Sequence, residues 1–487
     1  MRRFSSILLA LAVAGAVHAK GPAKPTVNVN EAVTARYYAS LIGTDPKLAE
    51  LTMFFTQMPK GGDLHHHYSG ALYAETYLDF LDKEGFCVDK TSYAIVSDAA
   101  KLAIERAKPV RTCLSGAEVR ADDATYRELL QRWSSKDFHN HGALQSPPDR
   151  QFFQTFLYFD AVSNTNFGAG LQELKQRAIR ENVLYIETMF KKAPSRANPD
   201  FDGAIAQGGA EPEALMANWY ADLDKDPAFN QNVADFLAKV AAAHQGIDDE
   251  HFTMRYQTYV LRLLPPSLVF STMVSAFKAA SQSDLVVGVN IVGQESNPVA
   301  MRDYALHMRM FQFLRARYPN VKLALHAGEL ALGDVPPEGL QFHIEQALNV
   351  AGAQRIGHGI DLAHETNAPA ILKAMREKDV PVEINLTSNA FISGIAGQNH
   401  PLTLYRKYGV PYVIATDDAG VTRHNLSNEY VLFASRYQPT YAEVKRVSYN
   451  SLRYAFLPEA QKRRLTQQLD ARYAAFESTV AAQVAPR

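Results

Sequence analysis

The stretch MPKGGDLHHHYSGAL, Met58–Leu72, sets the reading of the whole chain. In an extended strand successive side chains point to opposite faces. DLHHH (63–67) therefore presents His65 and His67 to one side and His66 to the other. Two imidazoles on one face can grip a single cation. Taken alone, the pattern also fits a His-rich surface turn. The same spacing recurs at His139-Asn140-His141, in a polar stretch after Trp133 that we assign to structure rather than to metal.

The rest of the chain separates the two cases. Seven further short apolar runs appear: VLYIETM (183–189), TMRYQTYVL (253–261), LVVGVNIVG (285–293), VKLALH (321–326), RIGHG (355–359), VPVEINL (380–386) and PYVIATDD (411–418). Each is separated from the next by a helical stretch. Eight strands alternating with helices give an α/β chain of the (β/α)8 barrel type, in which DLHHH is the first strand. Two connections are oversized, one after the first strand (68–182) and one after the second. The second contains NPDFDGAIAQGGAEPEA, read as a Gly/Pro-rich loop, and a helix from about Val233 to His244. Ahead of the barrel, Val33, Tyr37, Leu41, Leu48, Leu51 and Phe55 keep helical spacing, interrupted at Gly43-Thr44-Asp45-Pro46. This is an N-terminal helical arm over 20–57, followed by the barrel over 58–487, with an insertion at about 75–150.

The C-terminal ends of barrel strands meet at one mouth, so residues far apart in sequence become neighbours there. VKLALHAGE ends at His326 with Glu329 three positions on, RIGHG sets His358 between glycines, and PYVIATDD ends in Asp417-Asp418. Singly, a strand-end His can bond a carbonyl and an Asp pair can cap a helix. Together with His65 and His67, they supply imidazoles and a carboxylate suited to Zn²⁺, with a position left for water.

Composition narrows the classes. The 487 residues carry 50 basic and 51 acidic side chains, a net charge of −1, and no basic block interleaved with aromatics, which argues against a nucleic-acid partner. MRRFSSILLALAVAGAVHAK reads as an export signal over 1–19: Arg2 and Arg3, an apolar run Ile7–Val17, then Val17-His18-Ala19 as the cleavage site. The expected location is the periplasm or outside the cell, with no membrane attachment after cleavage. Cys87 and Cys113 are the only two cysteines, and an oxidising compartment favours joining them over two buried free thiols.

LHHHYSGA, HAGE, RIGHG, TSN and TDD, in this order, resemble the adenosine deaminase family of metal-dependent amidohydrolases. MPKGG, the export signal and the cysteine-bearing insertion resemble its secreted branch, the adenosine deaminase-related growth factors. NSLRYAFLPEAQKRRL (450–465) resembles the family's C-terminal helices, so the likeness runs from about Met58 to Leu465. It implies one Zn²⁺ per chain held by His65, His67, His326 and Asp417, with His66 excluded. It implies hydrolytic deamination of adenosine or deoxyadenosine, a purine nucleoside, to inosine and ammonia. Glu329 would protonate ring N1, His358 would accept or orient the water proton, and Asp418 would bond the water and purine N7. The Gly293 backbone would meet N3. Ser69 stands where cytosolic members carry Asp for a ribose hydroxyl, and Asn290 where the family often has Asp. Another aminopurine or amino-heterocycle as substrate, or a non-catalytic binding or signalling role, are the alternatives. The arm offers a surface for a homodimer.

Overall fold

The computed structural model describes residues 28–140, 146–208 and 211–485. The signal segment 1–19, the start of the leader at 20–27, and His141 lie outside the described residues. Eight parallel strands form the centre: β1 (Gly61–His67), β2 (Val183–Lys192), β3 (Thr253–Leu261), β4 (Val286–Val292), β5 (Ala324–Ala327), β6 (Arg355–His358), β7 (Val382–Ile384) and β8 (Tyr412–Ile414). β1 to β4 pair in chain order, as do β5 to β8. Two parallel bridges close the ring, Val289 with Leu323 and His66 with Asp417. At the second junction Asp417 N donates to His65 O (2.8 Å) and His67 N donates to Asp417 O (3.2 Å). A closed ring leaves no free sheet edge.

All eight expected strands are present, several shorter than the apolar runs suggested. The eighth stops at Ile414 rather than running to Asp418. Asp417 adopts φ +60°, a left-handed conformation that an extended strand does not contain.

The arm forms two helices, Val29–Ala39 and Leu48–Gln57. Asn28 caps the first by accepting from the Asn30 and Glu31 amides. Its buried face lies on the chain's own C-terminal helix Glu459–Val484: Phe54 meets Phe476 at 5.1 Å between ring centroids, and Asn28 donates to Glu477 at 3.3 Å. Burying Phe54 and Phe55 stabilises the junction by about 1.5–3 kcal/mol each.

The first long insertion carries helices and a small antiparallel sheet of Cys87–Asp89, Ile95–Val96 and Cys113–Leu114, stapled by a Cys87–Cys113 disulfide. The second corrects the sequence reading. NPDFDGAIAQ is not a loop but the helix Pro199–Gln207, because Asn198 caps the Phe201 amide and Pro199 fits the first helical turn. Pro212–Lys225 is a further helix. The helix expected from Val233 begins at Pro227, behind an Asp226 cap.

Candidate metal and catalytic site

β1 turns His65 and His67 into the barrel mouth and His66 outward, where its Nδ1 lies 2.9 Å from Thr188 Oγ1. Within the mouth, His67 Nε2 is 3.2 Å from His326 Nε2 and 3.2 Å from Asp417 Oδ1, and His65 Nε2 is 3.5 Å from Asp417 Oδ1. Ligands about 2.0–2.1 Å from a tetrahedral zinc stand about 3.3–3.4 Å apart, so these three spacings are close to the edges of such a site. Donor atoms of His65, His326, His358 and Asp417 lie within 4.8 Å of one another, as do those of His67, Asp417 and Asp418. His65 Nε2 is buried without a hydrogen-bond partner, as a ligand lone pair should be. Burial by itself would lower the His65 pKa, yet Asp417 and Glu383 beside it raise it to about 10. The pocket thus favours a positive charge where the rings converge. Burial would raise Asp417, but bonds from His65 and His67 hold it well below the usual carboxylate range. The residues present fit Zn²⁺.

His358 closes the group: its Nε2 lies 3.8 Å from Asp417 Oδ2 and 3.7 Å from Glu329 Oε1, buried and unpartnered. His358 and Asp417 both take positive φ, +66° and +60°. Such backbone in non-glycine residues costs about 1–3 kcal/mol and concentrates at functional sites. Glu329 is 9% exposed; burial and then the Asp417 charge push its pKa well above the usual carboxyl range, which favours the protonated form. Burial and Asp417 do the same to Asp418, whose Oδ1 has no partner. Burial holds His358 near 3, so its imidazole is neutral.

Beneath the mouth runs a buried polar circuit of which, besides the two histidines, the sequence reading had marked only Asn290. His65 Nδ1 meets Glu383 Oε2 at 2.6 Å, and Arg355 bridges Glu383 and Glu187, both at 2.5 Å. Gln257 donates to Glu187 (2.9 Å), Asn290 donates to Gln257 (2.9 Å), and Asn290 Oδ1 meets His326 Nδ1 at 2.9 Å. A carboxylate only accepts, so each amide has one permitted orientation around this path. Both histidines donate from Nδ1, which leaves Nε2 as the atom that would offer its lone pair to a bound ion. Ser388, in the TSN motif, donates to Asp417 Oδ2 at 2.7 Å. Glu295 accepts from the Gly328 and Glu329 amides (3.2 and 2.9 Å) and fixes the HAGE turn. The signals for this group were Asn290, standing where the family often has Asp, and Ser388 within the TSN motif; Glu187, Gln257, Arg355 and Glu383 lay unmarked within the predicted strands, and Glu295 just after one.

The donors open on a cavity of about 590 Å³. Ser69, Gly293, Asp418 and Glu329 line it, as expected, with Phe152, Phe153 and Phe156 from the helix Pro148–Ser163 as an apolar wall. Ser69 faces the cavity, but its carbonyl is already bonded to Tyr77 OH (2.6 Å), which leaves the hydroxyl as its recognition group. A larger cleft of about 1060 Å³, bounded by Val286, Lys322 and Phe456 at the other end of the barrel, contains none of these groups.

The family profile described as adenosine deaminase matches residues 212–472. The chain belongs to the adenosine deaminase family. It is 30% identical to the adenosine deaminase of Xenopus tropicalis over 424 residues, 86% of this chain and 96% of that one. It is 36% identical to that of Serratia proteamaculans over 154 residues, 31% of this chain and 43% of that one. It therefore spans less than half the length of this bacterial relative, and about half (51%) of the one from Pectobacterium atrosepticum. Among solved structures, an Arabidopsis N6-mAMP deaminase aligns with TM-score 0.53 at 17% identity, over 86% of this chain and 99% of that one. An amidohydrolase from Burkholderia ambifaria with bound Zn aligns with TM-score 0.53 at 17% identity, over 88% and 94%. These two likenesses extend to the fold, a barrel shared with the family.

Proposed function

We propose that this family member hydrolyses the exocyclic amino group of adenosine or a close 6-aminopurine nucleoside, releasing ammonia and the 6-oxo product. The observation that supports the proposal is the convergence of His65, His67, His326 and Asp417 in the barrel mouth beside Glu329, whose pKa burial pushes up. Zn²⁺ bound there would lower the pKa of water to about 7 and so supply hydroxide at neutral pH. Glu329, neutral in its buried place, delivers a proton to ring N1 and makes C6 electrophilic. Asp418, also held protonated, donates to purine N7, and the Gly293 backbone meets N3. His358 and Asp417 border the space where the attacking oxygen sits on one face of the ring. The phenylalanines of the helix Pro148–Ser163 cover the base and exclude water, which strengthens every polar contact inside.

The test is purified protein with adenosine, deoxyadenosine and adenine, followed by ultraviolet absorbance and by metal analysis. Turnover is expected with one zinc per chain, and Glu329→Gln should lower kcat by about 10²–10⁴ while keeping the metal. Absence of turnover on every aminopurine would defeat the reading. Ser69, which brings no charge to the sugar end, supports a second reading: a substrate with a different sugar or none, separated from the first by the same panel. The export signal and the Cys87–Cys113 staple support action in the periplasm or outside the cell, checked by cell fractionation. The remaining expectation, a homodimer, is checked by light scattering of full-length protein. The arm face packed on Glu459–Val484 is already covered by the chain itself.

A further inference from the structure

The proton on His358 can be located by following its other nitrogen away from the mouth. His358 Nδ1 lies 2.9 Å from Asn389 Nδ2 and 3.3 Å from Asn385 Nδ2. Asn389 Oδ1 lies 3.1 Å from His400 Nε2, and His400 Nδ1 accepts from the Leu402 backbone N–H at 3.0 Å. All four side chains are at most 1% exposed, so the direct contacts between them set the proton positions. A backbone amide only donates, which makes His400 Nδ1 an acceptor and puts the His400 proton on Nε2. That proton points at Asn389, so Asn389 must turn its oxygen to His400 and its NH₂ to His358. His358 Nδ1 then carries a lone pair, and the ring's proton sits on Nε2. Turning the Asn389 amide around would set its NH₂ against the His400 N–H. His358 Nε2, the atom facing Glu329 and Asp417, is the one with no partner in the protein.

We infer that Asn389 and His400 are positioning residues that fix His358 as the Nε2–H tautomer, so that His358 donates a hydrogen bond to the attacking oxygen rather than taking its proton. This refines the base-or-orienter role that the family likeness left open, and it rests on the proposed deaminase reading. The direction runs opposite to a catalytic dyad, in which a carboxylate behind the imidazole holds the proton on the far nitrogen and frees Nε2 as a base. Here a donor stands behind the ring. The oxygen that attacks C6 gains negative charge toward the ring side, and a fixed N–H aimed at it stabilises that charge without reorganisation.

Asn389→Asp tests this with almost no change of shape. Aspartate accepts from His400 Nε2–H with one oxygen and from His358 with the other, and so moves the His358 proton to Nδ1. The expected result is a fall in kcat of about 10²–10³, the loss typical of one removed donor, with KM and zinc content near wild type. An unchanged or higher kcat would overturn the inference, because a base would be favoured by that exchange. His400→Gln keeps both polarities, accepting from Leu402 N and donating to Asn389, and should stay within a few-fold of wild type. If Asn389→Asp does not fold, His400→Leu, which frees the Asn389 amide to turn, decides by the same criterion. A readout independent of turnover is the ¹⁵N spectrum of histidine-labelled wild-type protein, with His358 assigned through His358→Gln. The His358 Nδ1 should resonate as an unprotonated nitrogen; a protonated Nδ1 would overturn the inference even in an active enzyme. Wild-type protein that turns over no aminopurine would count against the deaminase reading, while this spectrum still judges the tautomer.

Discussion

Gly70 lies against the carboxyl group of Asp418, and the structure makes the consequence of adding one methyl group calculable. A Cβ at Gly70 would stand 1.5 Å from Asp418 Oδ1 and 2.3 Å from its Cγ, where 3.4 Å is ordinary contact. Asp418 must therefore move by about 2 Å, or the turn Tyr68–Ala71 must move away from it. The turn is held: Gly70 O accepts from the Gly420 and Val421 amides at 2.8 and 2.9 Å. The carboxyl group gives way, and with it the proposed bond to purine N7. A 1 Å misplacement of a positioned group costs about 10²-fold, equivalent to about 2.7 kcal/mol. Gly70→Ala is accordingly expected to lower kcat/KM by at least about 10², with a stability cost of about 1–3 kcal/mol from overpacking. Zinc should remain, since Asp418 is not among the four proposed ligands. Gly203→Ala serves as control. It lies in the helix Pro199–Gln207, meets nothing within 4 Å, and should leave activity unchanged while adding about 0.5–1 kcal/mol of stability. The assays are adenosine turnover, metal content and denaturant unfolding on both variants. A Gly70→Ala protein with one zinc and activity within about threefold of wild type would refute the placement of Asp418 in the chemistry.

Two further outcomes are expected from the fold. The Cys87–Cys113 bond closes a loop of 26 residues, worth about 3.5 kcal/mol in the chain-entropy account, so Cys87→Ser with Cys113→Ser should weaken the insertion by roughly that amount; activity within about threefold is expected, and a collapse of activity in folded protein would contradict the separation of staple and site. Lys60 is fully buried, which lowers its pKa to about 7 despite the nearby Glu181. The unfolded chain then holds more protons than the folded one between about pH 7 and 10.5. Lys60 therefore adds a component of stability that rises with pH through that window. Urea unfolding at pH 6.5, 8.5 and 10 should show Lys60→Met flattening the rise, and an unchanged slope would exclude the lowered pKa.

Much of the site was legible because its residue types sit at strand ends, where short-range alternation already fixes direction. Once DLHHH is a strand, His65 and His67 share a face and His66 leaves it. HAGE, RIGHG and TDD each closed an apolar run, so a barrel placed them on one rim. The helices from Pro199 and Pro227 were less legible, because glycine and proline density concealed Asn198 and Asp226 as caps. Nothing in the sequence pattern linked Glu383 to His65, Arg355 to Glu187, or His400 to Asn389. Those pairs bring together side chains from different strands and loops, and local periodicity carries no information about such partners.

By itself the sequence determined the alternation of strands and helices, the identity of the groups able to bind an ion or move a proton, and the pair of cysteines. These arise from patterns a few residues long, governed by backbone geometry and hydrophobic period. Tertiary structure alone decided that His67 stands 3.2 Å from both His326 and Asp417 and His65 3.5 Å from Asp417, that burial pushes the Glu329 and Asp418 pKa values up, and which nitrogen of each histidine faces the mouth. Distance, desolvation and hydrogen-bond direction are properties of groups brought together from positions as far apart as 65 and 417, and they exist only once the ring of strands has closed.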